Sequence, residues 1–73
     1  MIKVGQIYYD KEKHANFVVT VASEGQYGFY TNSIYKSGYV NTHSADWIEI
    51  NAKLIAEYPT WQEAVNSKEF KGE

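Results

Sequence analysis

The chain of 73 residues holds seven lysines, nine acidic side chains, two histidines, no arginine and no cysteine, for a formal charge of −2. A chain this short builds one core at most, of a kind that gives only ~3 to 5 kcal/mol of net stability, and without cysteine neither disulfides nor a zinc-thiolate centre reinforces it. The missing arginine removes the side chain that grips phosphate and guanine with two hydrogen bonds at once, and −2 is too little charge for an acidic mimic of DNA, so nucleic-acid partners are disfavoured.

In chain order, Met1-Ile2-Lys3-Val4-Gly5 lacks the apolar run of a secretion signal, and no stretch approaches the roughly 20 apolar residues that cross a bilayer. The expectation is a cytoplasmic protein with no membrane role. Val4 to Tyr9 is rich in β-branched and aromatic residues and predicts a first strand, ended by the polar turn Asp10 to His14. Asn16 to Ala22 predicts the strongest strand, with Phe17, Val19 and Val21 on one face and Val18, Thr20 and Ala22 on the other. Both faces are apolar enough for a central position. Ser23 to Gln26 predicts a tight loop, and Tyr27 to Thr31 returns as a third strand to make a hairpin.

Between Asn32 and Asp46 the pattern predicts a loop or a second hairpin with a short strand near Tyr39 to Asn41. Ser44 to Ile50 satisfies neither the helical nor the strand period, so a helical turn and a strand both stay open there. Lys53 to Tyr58 predicts the last strand, which Pro59 ends. Thr60-Trp61-Gln62-Glu63 has the form of a capping box, and Trp61, Ala64 and Val65 make one apolar stripe that docks on the sheet. Phe70 falls off that stripe, which predicts an interruption at Asn66-Ser67, with Ser67 capping a second short turn that brings Phe70 inward.

These elements predict a single α+β domain over residues 1–73, with 71–73 a frayed tail. Its small curled antiparallel sheet of four to five strands is either open or closed into a Src-homology-3-like barrel, and one C-terminal helix covers it. In that reading Trp61→Ala costs about 3 to 5 kcal/mol.

Lys3 to Tyr8 and, above all, Ile55 to Phe70 resemble the small uncharacterised proteins of phages and prophages in low-GC Gram-positive bacteria. The resemblance covers about a third of the chain. It implies an accessory protein of the host cytoplasm and carries no catalytic or binding residue across.

The chemistry-bearing residues are sparse. His14 and His43 each have an acid nearby, Asp10 and Asp46, but a metal needs three or four converging ligands, and the bland reading is a pair of solvated loop residues. Ser44 beside His43 is adjacency alone, and Gly25, Gly28 and Gly38 belong to turns rather than a phosphate cradle. No catalytic residue, cofactor site or metal site is assigned, and the chain reads as a non-enzyme. Aromatic residues are the one feature above background, with seven tyrosines, three phenylalanines and two tryptophans. Either most of them pack in the core with hydroxyls at the rim, or Tyr8, Tyr30, Tyr35 and Tyr39 form an exposed patch through which the domain binds another protein or itself. The alternative is a small barrel that stacks single-stranded nucleic acid on those tyrosines, with Lys3, Lys11, Lys13 and Lys36 along the backbone.

Overall fold

The computed structural model describes residues 2–26 and 28–72. The expected start of the third strand at Tyr27 and the Glu73 end of the expected frayed tail lie outside them. Five strands, β1 (Gln6–Asp10), β2 (Ala15–Gly25), β3 (Gly28–Tyr35), β4 (Val40–Ser44) and β5 (Ala52–Glu57), form one antiparallel sheet in the order β4-β3-β2-β1-β5. Helix α1 (Ala45–Asn51) joins β4 to β5, and α2 (Trp61–Val65) and α3 (Lys68–Lys71) follow.

β2 takes the central position because it is apolar on both sides. Phe17 and Val19 pack with Tyr8, Tyr35, Ile48 and Ala52 on one face, while Val18 packs with Ile7, Ala64 and Phe70 on the other. Strict alternation puts Val21 beside Phe17 and Val19, but the register against β3 slips between Val19 and Val21. Thr20 is the extra residue of this bulge, and its hydroxyl donates to the Asn32 carbonyl at 3.2 Å. Beyond it the faces exchange, so Ala22 packs against the Phe17 cluster and Val21 is exposed.

The ambiguous segment after Ser44 is a helix. The Ser44 side chain accepts the Trp47 amide at 3.1 Å, and Ile48 is driven into the Phe17 face. A helix of seven residues spans ~10 Å, whereas the outer strands of a flat five-stranded sheet stand ~19 Å apart, so the sheet must curl towards α1 for this strap to close. β4 and β5 do not pair with each other, so of the two expected forms the sheet takes the open one and does not close into a barrel.

One further expectation is corrected. Three short helices cover the sheet on both faces, in place of one C-terminal helix, because β2 needs cover on each side. Residue 71 belongs to α3, and Gly72 caps that helix in the left-handed conformation, its N–H donating to the Lys68 carbonyl at 2.8 Å. The break between α2 and α3 follows the sequence reading. Thr60 accepts the Glu63 amide at 3.2 Å, Ser67 accepts the Phe70 amide at 3.2 Å, and Phe70 is buried. Among the described residues, no helix is long and apolar enough to cross a membrane.

Candidate functional site

The four tyrosines of the expected patch are not brought together on the surface. Tyr8 and Tyr35 are core residues at 8% and 4% exposure, whereas Tyr30 and Tyr39 are 37% and 53% exposed. Tyr8 stacks on Phe17 with ring centres 5.6 Å apart and donates its hydroxyl to Gln6 Oε1 at 2.9 Å. Tyr30 lies far along β3, opposite Ser44, and Tyr39 stands in the β3–β4 turn, 5.8 Å from the Tyr35 ring. Only Tyr35 and Tyr39 of the four share a site.

That site is built around the end of β1. Asp10 Oδ1 accepts the amides of Glu12 at 2.8 Å and Lys13 at 3.0 Å, closing the β1–β2 turn, and Oδ2 accepts the Tyr35 hydroxyl at 2.8 Å. Burial by itself raises the carboxyl's pKa. The turn amides and the Tyr35 hydroxyl outweigh it and hold Asp10 below the ordinary carboxylate range. Tyr35 is pushed well above the ordinary phenol range by its burial and by the Asp10 carboxylate.

His43, expected in a solvated loop, is a buried residue of β4. Its Nε2 lies 3.3 Å from both the Tyr35 hydroxyl and Asn41 Nδ2, and its ring stacks on Trp47 at 4.2 Å with the planes 7° apart. The Tyr35 proton is committed to Asp10, and the Thr42 amide holds Asn41 Oδ1 at 2.9 Å, so Asn41 Nδ2 is left to donate to Nε2. This assigns the neutral imidazole's proton to Nδ1, in keeping with burial that lowers the ring's pKa. Nδ1 is buried and has no hydrogen-bond partner among the described residues.

Above this cluster lies an open groove of about 690 Å³ lined by Lys13, Ala15, Tyr35, Lys36, Ser37 and Tyr39. The Lys13 ammonium sits over the Tyr39 ring at 5.4 Å, and the Lys36 ammonium donates to the Lys71 carbonyl at 2.6 Å. Of the lysines set on a nucleic-acid track, these two line a common groove. Lys3 precedes β1 whereas Lys11 and Lys13 follow it, so that strand separates them.

His14 is exposed in the turn, at positive φ, with Nδ1 2.9 Å from the Tyr9 hydroxyl. Among the described residues, no three His, Cys, Asp or Glu side chains group as ligands. Ser44 is the N-cap of α1, its side chain accepting the Trp47 amide. Sequence reasoning missed the meeting of Asp10, Tyr35 and His43 because Asn41-Thr42-His43-Ser44 contains no apolar residue to show the strand period. The Asp-x-Glu-Lys order at the turn was the available signal for Asp10, since an aspartate there accepts amides two and three residues on. Comparisons with protein-family models, curated proteins and solved structures returned no match.

Proposed function

We propose that the domain is a non-catalytic protein-recognition module whose groove between the β1–β2 and β3–β4 turns takes a short partner segment with an apolar or aromatic anchor and flanking carboxylates. The observation that carries this reading is the composition of the groove. Ala15, Tyr35 and Tyr39 give it apolar surface, and Lys13 and Lys36 give it two ammonium groups with no carboxylate partner among the described residues. Tyrosine beside a cation suits a recognition surface, because the ring supplies contact area at little entropic cost and the cation selects the partner's charge. The polar groups beneath are occupied with one another, as Asp10 already accepts three hydrogen bonds and has no proton to lend near neutrality. This supports binding over catalysis. An accessory protein of phage type, acting on a host protein in the cytoplasm, is the setting that the resemblance implies.

A display selection with a random peptide library tests it. Enriched sequences should combine aromatic and acidic residues, and Tyr39→Ala or Lys13→Glu should each weaken binding by about tenfold, the scale of one interface anchor. Sequences without acidic bias, or unchanged binding by both variants, would sink the reading. Single-stranded DNA retained by the same groove, with affinity falling steeply as salt rises, would favour the nucleic-acid alternative instead.

A further inference from the structure

The connection from β4 to β5 is a strap across one face of the sheet, and its β4 end is fastened by an ionisable ring. His43 is 6% exposed, stacked on Trp47 of α1 and 5.1 Å from the Phe17 ring. A neutral imidazole protonated at Nδ1 fits the acceptor position that Asn41 Nδ2 addresses. An imidazolium is different, because it must donate from both nitrogens. Among the described residues, the acceptor within hydrogen-bond distance of the ring is the Tyr35 oxygen, which can accept while its proton stays on Asp10. Asn41 presents an N–H to Nε2, and its Oδ1 is held by the Thr42 amide. Nδ1 has no acceptor among the described residues.

The charges around the ring come from several elements. At the end of β1, Asp10 draws a proton towards it, and in the following turn Lys13 opposes one. Glu12 lines the same cleft as His43. β3 contributes the Tyr35 phenol, Tyr39 reaches the site through Tyr35, and α1 turns the uncharged Trp47 to the ring while Asp46 stays exposed. Among the described residues, Asp10 is the one carboxylate hydrogen-bonded into the cluster, and its three donors are already in place.

We propose that His43 is an acid-operated latch: protonation expels the ring from its stack and frees β4 and α1 (residues 40–51), while β1, β2, β3 and the C-terminal helices hold together. The opened form uncovers the Phe17 face of the sheet. This inference does not depend on the groove reading, since it concerns the strap alone.

Amide hydrogen exchange on the full chain at pH 7 and pH 5, corrected for intrinsic rates, tests it. If the closed form keeps the ring neutral and the open form restores a pKa of ~6.5, the open population rises by at most about 25-fold over that interval. A rise of about tenfold or more, confined to residues 40–51, is expected. It should vanish in His43→Phe, which keeps an aromatic ring against Trp47, and persist in His14→Asn. Unchanged protection of the strap, an equal change in β1 and β2, or a pH response retained in His43→Phe overturns the proposal. Should His43→Phe fail to fold, imidazole ¹⁵N shifts of the unaltered protein decide. A charged His43 with the strap still protected overturns the latch, and a ring that charges only as the strap exchanges supports it.

Discussion

Asp10 closes the turn after β1 with one carboxylate oxygen and takes the Tyr35 hydroxyl on the other, so its charge is shared among three donors. Because its pKa is lower folded than unfolded, its contribution is fully present above the unfolded value of ~3.9 and is lost as pH falls through the folded one. Urea unfolding followed by circular dichroism between pH 7 and pH 2 should show this acid limb. Asp10→Asn should flatten it and cost about 1 to 3 kcal/mol at pH 7, the scale of a lost hydrogen bond to a buried charge. Tyr35 works in the opposite sense. Its raised pKa means that stability is intact below ~10 and declines as pH climbs towards the folded value, and Tyr35→Phe should remove that alkaline decline.

At the scale of elements, the entry to β1 depends on one backbone geometry. Gly5 has φ +92°, its N–H donates to the Val19 carbonyl at 2.9 Å, and its own carbonyl accepts the Tyr58 amide at 3.1 Å. A Cβ there would lie 2.3 Å from the Tyr58 carbonyl oxygen, too close for any side chain. Gly5→Ala should therefore cost roughly 3 kcal/mol or more, measured by thermal or urea unfolding, since it combines left-handed strain with a backbone clash. The helices after β5 rank differently from the sequence expectation. Trp61 is only half-buried, whereas Ala64 and Phe70 are buried, so Phe70→Ala should destabilise by about 3 to 5 kcal/mol and Trp61→Ala by distinctly less. Equal losses in the two variants would contradict this ranking.

Much of this architecture was legible in the residues. The two-faced apolar pattern of Phe17 to Val19 placed β2 at the centre, and the mismatch of Phe70 with the Trp61 stripe located the break at Ser67. The second cover was not legible, because Trp47, Ile48 and Ile50 fit neither period and only packing on Phe17 decides for a helix. Nor was the polar cluster, since Asp10, Tyr35 and His43 lie 25 and 8 residues apart and meet only when the sheet registers.

At the scale of the whole molecule, the two faces of the sheet share β2, so they should unfold together at pH 7. Trp47 lies on one face and Trp61 on the other, and the chain has no third tryptophan. Single-tryptophan variants, Trp47→Phe and Trp61→Phe, should therefore report one common urea midpoint each with its own circular dichroism. A fluorescence midpoint that departs from the dichroism in either variant would show that the faces are separate cooperative units.

The order of the strands also bears on how the chain assembles during synthesis. β1 to β4 pair with neighbours in sequence, whereas β5 returns to β1 and sets Tyr8 opposite Leu54. Contacts so distant along the chain are slow to form, because the intervening loop must close first. Until residue 57 has left the ribosome, the outer edge of Gln6 to Asp10 has no strand to pair with, and a nascent chain stalled short of that point is the species most exposed to aggregation.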